Sequence, residues 1–452
     1  MKYLFFALIL IVFHLYLLSR LQFTAWPEMF SYPYLLSNGF DLYKDIALPY
    51  QPLLTVLLSL IYKISGYNLI TLKIITWAII VGSDLLIFII SHKLIKEKFL
   101  SLVPPALYVF VQPLTDGNML WFDLATVPLL LSGSLLFLKF EGYKKYFWLG
   151  FFLSLAFLTK QQIGIAYFLL IIALLFKKRF KETLYILIGS LIPACLIFLY
   201  ILFSGTTKDY IFWTIEVPLY WYPKFPGYIN FPSMQEIIII ALLILPGFFA
   251  ILNNLKKLDL RFMIIFLMFL GAFFSAFPRF NFFRFQPALA LYIILIIFLI
   301  TKLKAKQIIF YSMPVILSIL LLFKINSHQF NQTTRFFSEE DRELSSEISD
   351  MTGPTDNIYI LGGSSTLYVL SNRLPSKPWV DNYVWYLEIE GIQDKVIDGF
   401  KKNPPAVIFR KIPNSGNWYD LGTYQPKKIV LFIEQNYQKM AKIKDIEVWT
   451  KK

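Results

Sequence analysis

The sequence predicts a polytopic α-helical membrane protein with about eleven transmembrane helices and a small C-terminal extracytoplasmic α/β domain. Three observations carry this reading. Of 452 residues, 57% are hydrophobic and 16% charged, where a soluble domain has about 45–50% apolar and about 25% charged residues. The apolar residues fall in long runs separated by short lysine clusters. From about Lys324 the composition changes to that of a soluble domain.

The first run, residues 1–19, carries only Lys2 and lacks a small-residue cleavage site, so it reads as a retained helix starting in the cytoplasm. A loop over residues 20–68 follows. Within it Pro52–Ser65 is apolar but shorter than the roughly 20 residues a crossing needs, and it reads as interfacial or re-entrant. Leu69–Ser91 ends at Lys93, Lys96 and Lys98. Phe99–Pro113 leads out to LTDGNMLWFD, and Leu124–Leu138 returns to Lys139, Lys144 and Lys145. Tyr146–Thr159 rises to Lys160, and Gln162–Phe176 descends to KKRFK. Thr183–Phe203 leads to a long loop rich in Pro, Trp and Tyr, the residues of an interfacial belt. Ile237–Leu252 returns to Lys256 and Lys257, Phe262–Phe277 goes out, Ala288–Ile300 returns to Lys302, Lys304 and Lys306, and Ile308–Phe323 makes the last crossing. This path puts almost every lysine cluster on one side, as the positive-inside bias requires. Counting 52–65 as a further span would reverse everything after it. The expected location is the plasma (inner) membrane, with the N-terminus cytoplasmic.

The domain boundaries follow: a membrane domain over residues 1–323 and an extracytoplasmic domain over 324–452. In the latter, SEEDRELSSEISDM reads as a polar amphipathic helix, NIYILG and AVIFR as strands, and STLYVLS and QDKVIDGFKK as helices. KIVLFIEQNYQKM and DIEVWT read as a further helix or strand pair.

The composition also removes function classes. The net charge of +14 sits between membrane runs, so topology explains it and nucleic acid is not an expected partner. One cysteine, Cys195 in an apolar run, makes no disulfide framework. His14, His92 and His328 are too scattered for a zinc enzyme, and no metal site is expected from them.

Candidate site residues lie in the loops opposite the lysine clusters. Glu28 follows Trp26-Pro27 at the exit of the first helix, which holds its carboxyl near the bilayer and partly desolvated, suiting a general base. Asp45 is a second candidate, whereas Asp41 reads equally as a solvated loop residue. Asp116, Asn118 and Asp123 flank Gly117 and Trp121; they could bind sugar hydroxyls or an ion, and Asp116-Gly117 is also an ordinary turn. Lys160 and Gln161 interrupt an apolar run, where charge usually has a partner; the readings are a phosphate contact or a side chain reaching to the headgroups. Arg279 and Arg284 sit among five phenylalanines on the face where basic residues are disfavoured. Their planar forks match phosphate oxygens, with headgroup anchoring as the alternative. LGGSS at residues 361–365 follows a strand but lacks the spacing of a dinucleotide or P-loop signature, so it reads as a plain strand-to-helix turn.

WPEMFSYPYLLSNGFDLYKDIALPYQPLL, then LAFLTKQQIG, then AFPRFNFFRFQPALAL together resemble the bacterial GT-C glycosyltransferases, which include protein mannosyltransferases and lipid A aminoarabinose transferase. The resemblance spans nearly the whole chain and implies an inverting hexosyl or pentosyl transfer from a polyprenyl-phosphate-linked sugar, at the outer face, to a lipid, glycan or protein acceptor. In that family the first loop often carries an Asp-Glu pair that supplies the base. Here those positions read Pro27-Glu28, which implies Glu28 as the base with Asp45 as competitor. Lys160, Arg279 and Arg284 match positions that face the donor phosphate. The Trp-Trp-Asp motif of oligosaccharyltransferases is absent. No cofactor is implied beyond an optional divalent cation, and membrane lipids are the surrounding partners. The alternatives are a lipid-linked glycan transporter or flippase, against which stand the lack of an internal repeat and of polar residues paired within several helices, and an outer-face polysaccharide polymerase or ligase.

Overall fold

The computed structural model describes residues 2–252, 259–300, 302–413 and 423–452; Lys256 and Lys257, expected beside a cytoplasmic helix end, lie outside them. The apolar runs read as crossings are helical: Lys2–Arg20, Leu69–Leu94, Val103–Val111, Phe122–Lys139, Lys144–Thr159, Gly164–Phe176, Phe180–Phe203, Met234–Leu252, Leu260–Phe274, Gln286–Ile300 and Ala305–Asn326. Among the described residues, seven helices are long and apolar enough to cross a membrane by length and composition, and the chain is an integral membrane protein on that ground. Leu53–Ser65 and the helical stretches Leu100–Val111, Gln161–Phe176 and Leu260–Phe274 are apolar but shorter.

Two compact units divide the residues. One comprises Met1–Thr24, Leu72–Phe198 and Asn230–Thr333; the other comprises Ala25–Thr71, Leu199–Ile229 and Thr334–Lys452. The first large loop and most of the aromatic loop therefore belong to the same unit as the C-terminal domain.

The first unit is a helix bundle built around Gln286–Ile300. That helix is apolar all round, and Ala288 to Leu295 are all buried, as expected of a helix with neighbours on every side. Helix Leu260–Phe274 packs on it and on Gly164–Phe176. Close approach needs small residues at the contact. A Cβ added at Gly150 would fall on the Ile186 carbonyl, and one at Gly189 on the Phe147 carbonyl. Ser190 Oγ donates to the Gly150 carbonyl at 2.9 Å, and Ser154 Oγ to the Ser190 carbonyl at 3.0 Å, so helices Lys144–Thr159 and Phe180–Phe203 are also hydrogen-bonded where they meet.

This unit also holds a buried polar chain. His14 Nδ1 lies 2.8 Å from Asp84 Oδ2, and His14 Nε2 3.0 Å from Gln112 Oε1. Gln112 Nε2 donates to the Gly117 carbonyl, and Gln286 Nε2 donates to the Thr115 carbonyl and hydroxyl. Polar residues are thus paired across helices, which the sequence does not reveal when each helix is read alone.

The second unit carries a five-stranded sheet: β1 Asn357–Leu361, β2 Leu374–Pro375, β3 Val407–Lys411, β4 Tyr437–Ile443 and β5 Ile446–Lys451, in the order β2-β1-β3-β5-β4. β1 runs parallel to β2 and β3, and β5 antiparallel to β3 and β4. Ile358 to Leu361 of β1 are all buried, the unbroken run expected of a strand covered on both faces. Tyr359 packs on Phe400 of helix Ile392–Lys402, with ring centroids 4.8 Å apart. Helix Glu339–Asp350 begins as its sequence suggests, with Ser338 and Asp341 each accepting from the other's backbone N–H. The first loop folds onto this domain. Helix Glu28–Ser37 packs against Leu53–Ser65 and against helix Thr366–Leu370, and the Trp379 backbone pairs with the first loop through N–H to Asp45 O at 2.7 Å and O to Ala47 N at 3.2 Å.

Candidate active site

In the second unit the organising residue is Glu28, the first residue of helix Glu28–Ser37. It is 6% exposed. The Tyr383 hydroxyl donates to Oε1 at 3.2 Å, while Oε2 is buried without a hydrogen-bond partner. Tyr383 stands just before the short helix Val384–Leu387, and its backbone N–H donates to the Asp381 carbonyl at 2.8 Å. Asp381 is itself 2% exposed. Its Oδ1 accepts from the Asn382 N–H at 2.9 Å, and its Oδ2 lies 3.2 Å from Ser365 Oγ. Ser365 Oγ is also 3.2 Å from Ser31 Oγ, one turn along the helix from Glu28. Asn382 anchors the turn to β1 through its amide N–H to the Ile360 carbonyl at 2.7 Å.

Two carboxyls buried in one cluster oppose each other's ionisation. Burial first, and the Asp381 carboxylate second, push the Glu28 carboxyl up to about 8. Burial also pushes Asp381 up, to about 6, against the hydrogen bonds from Asn382 and Ser365 that favour its ionised form. Such a carboxyl titrates in the range where a general base works.

Asp45 lies in the same unit in a different setting. Its Oδ2 accepts from the Asp41 N–H at 3.1 Å and pairs at 3.0 Å with Lys377, which is 43% exposed. That is a partly solvated ion pair tying the first loop to the C-terminal domain. LGGSS is the strand-to-helix turn between β1 and helix Thr366–Leu370, and its last serine serves Asp381.

In the first unit Lys160 terminates helix Lys144–Thr159 in an extended conformation, followed by the 3₁₀ turn Gln161–Ile163. It is fully buried and forms an ion pair with the equally buried Asp123, and it donates to the Ser275 carbonyl at 3.1 Å. Asp123 Oδ2 is buried with no hydrogen-bond partner. Arg284, 8% exposed in the 3₁₀ turn Phe282–Phe285, lies over the Phe283 ring at 5.6 Å and is near enough for its charge to act on Lys160. Arg279 is half-buried in a segment paired with Asn230, whose N–H donates to the Pro278 carbonyl at 3.0 Å. Gln161 is half-buried.

The remaining acid and amide candidates have structural partners. Asn118 donates to the carbonyls of Leu18 and Leu21, both at 2.9 Å, and accepts from Trp77 Nε1 at 3.0 Å. Asp116 has φ +48° and accepts from Gln329 at 3.1 Å. So Lys160, Asp123 and Arg284 form one group, Glu28 is grouped with Asp381, and Asn118 and Asp116 brace the loop after Val111. No group of three or more His, Cys, Asp or Glu that could hold a metal ion occurs among the described residues.

Sequence reasoning missed Asp381 and Asp84. Asp381 sits in PWVDNYVWY, an acid among aromatics like those around Glu28. Asp84 is an acid inside an apolar helix, a signal for a buried partner.

No protein-family model and no curated protein matches the chain. Solved structures do. ArnT from Cupriavidus metallidurans bound to undecaprenyl phosphate is 11% identical, with a TM-score of 0.62 over 99% of this chain and 97% of that one. The same protein in the apo state gives 10% identity, a TM-score of 0.61 and the same coverage. The Archaeoglobus fulgidus oligosaccharyltransferase tethered with an acceptor peptide containing the NVT sequon is 11% identical, with a TM-score of 0.55 over 100% of this chain and 74% of that one. The chain therefore shares the fold of ArnT and of that oligosaccharyltransferase.

Proposed function

We propose that the protein is an inverting glycosyltransferase that moves a sugar from a polyprenyl-phosphate donor to an acceptor hydroxyl at the outer face of the membrane. The observation that carries this reading is Glu28, a buried carboxyl with one oxygen unpartnered, in a chain whose fold is that of a protein bound to undecaprenyl phosphate. A fold alone does not assign chemistry; the carboxyl supplies the chemical argument.

In this reading ionised Glu28 takes the proton of the acceptor hydroxyl as that oxygen attacks the anomeric carbon. The bond from that carbon to the phosphate oxygen breaks, its electron pair leaves with the polyprenyl phosphate, and the configuration inverts. Arg284, Arg279 and Gln161 bind the phosphate. Lys160, held by Asp123, adds positive charge, and stabilising the departing phosphate is where the larger rate gain arises. Asp45 is the competing base, but its Lys377 partner favours a carboxylate engaged in structure. Asp116 and Asn118 brace the loop after Val111 rather than contact sugar.

A flippase is the second reading, favoured only by the buried His14–Asp84–Gln112 chain. The deciding experiment is mass spectrometry of lipids and glycans from cells lacking the protein, complemented with wild type or Glu28→Gln. A transferase leaves an unconsumed polyprenyl-phosphate sugar that wild type clears and Glu28→Gln does not. Clearance by Glu28→Gln at the wild-type level would remove Glu28 from the role.

A further inference from the structure

The C-terminal domain enters the site through two residues that the proposed reaction does not use, Tyr383 and the acid Asp381. The sheet fixes its position. Asn382 is bonded to the Ile360 carbonyl and accepts from the Tyr359 hydroxyl at 3.2 Å, so the turn at 381–383 is bolted to the middle of β1. From that turn, contacts run to helix Glu28–Ser37 by two routes: Tyr383 to the Glu28 carboxyl, and Asp381 through Ser365 to Ser31. The Ser365 hydroxyl has a single proton, and donating it to Asp381 Oδ2 favours the ionised aspartate. The other titratable groups facing this cluster are tyrosines: Tyr32, Tyr50, Tyr383 and Tyr386 on the Glu28 side, and Tyr359 and Tyr368 on the Asp381 side. Burial pushes Tyr32, Tyr359, Tyr368 and Tyr386 further up, so they stay neutral in the working range, and among the described residues the carboxylate acting on Glu28 is Asp381.

We propose that Asp381 is a positioning residue for Glu28: the turn at 381–383 holds its carboxyl in one buried cluster with Glu28, making the base a two-carboxyl unit drawn from distant parts of the chain. This rests on the transferase reading above. Its consequence is a base that is protonated at rest and, once ionised, takes a hydroxyl proton more strongly than an isolated glutamate. The C-terminal domain is then part of the acid–base machinery.

The test is infrared spectroscopy of full-length protein in lipid vesicles, following the protonated-carboxyl band through a pH titration. The difference between wild type and Glu28→Gln isolates Glu28. In Asp381→Asn, which keeps shape and removes charge, the Glu28 midpoint should fall by about one pH unit or more, and Asp381→Glu should restore it. An unmoved midpoint in a folded Asp381→Asn protein overturns the proposal. If Asp381→Asn does not fold, the reciprocal measurement reads the same coupling: the wild-type minus Glu28→Gln difference must contain a second, shifted carboxyl feature from Asp381, and its absence is equally fatal. The two readings fail separately. Loss of sugar transfer in Glu28→Gln with an unmoved midpoint sinks the pairing alone, whereas a moved midpoint with full transfer by Glu28→Gln supports the pairing and removes Glu28 as the base.

Discussion

Keeping a carboxyl at Glu28 has a stability cost that depends on pH, and Glu28→Gln should expose it. The folded protein holds the Glu28 proton more tightly than the unfolded chain, because burial and Asp381 raise its carboxyl from 4.5 to about 8. Between those two values the folded state binds more protons than the unfolded one, so stability falls as pH rises, and above about 8 the loss is complete. Below about 4.5 the group contributes nothing. At about 1.4 kcal/mol per pH unit, the full interval corresponds to an upper limit of about 5 kcal/mol. Glutamine has nearly the same shape and cannot ionise. The variant should therefore match wild type near pH 5 and exceed it progressively to pH 9, where scaling the unfolding entropy to this chain length predicts a Tm higher by about 5 °C. Differential scanning fluorimetry in detergent over that pH range measures it. Parallel curves with a constant offset would refute the argument, since they would mean that Glu28 titrates alike in both states.

Other consequences follow from the same geometry. Sugar transfer, assayed as kcat/KM, should rise with pH as Glu28 ionises and level off above about 8; a rate independent of pH from 6 to 8 would contradict Glu28 as the base. Arg284→Ala should weaken binding of undecaprenyl phosphate by about 1.5–3 kcal/mol, the usual worth of a hydrogen bond to a charged group, which is roughly ten- to a hundredfold in Kd; microscale thermophoresis on the purified protein reads it. Lys160→Met should destabilise the fold by about 3–5 kcal/mol because it strands the buried Asp123 carboxylate. Adding Asp123→Leu should restore most of that loss, and a double variant no more stable than the single would argue that the pair is not the reason.

The apolar runs, the lysine punctuation and the change in composition after Lys324 were enough to place the helices and the small sheet domain, because helix formation and burial depend on residues close together in the chain. The polar and capping residues of SEEDRELSSEISDM and the apolar run in NIYILG act locally, and both elements form where expected. Trp26-Pro27 suggested a partly desolvated Glu28, and Glu28 is buried, but the hydroxyl that meets its carboxyl comes from Tyr383 in the C-terminal domain. Partners were not legible. Lys160 meets Asp123 across 37 residues, His14 meets Asp84 across 70, and Tyr383 meets Glu28 across 355. Each pairing is decided by which helices or loops pack together, and no periodicity in the sequence encodes that choice. Lys160 and Asp123, each read alone as a ligand contact, are partners in one ion pair once the bundle closes, since a buried charge is tolerated only beside its opposite. Asp381 acquires its meaning only when the first loop folds onto β1 and its flanking turns, bringing two carboxyls into one water-excluded cluster where neither titrates as it would alone.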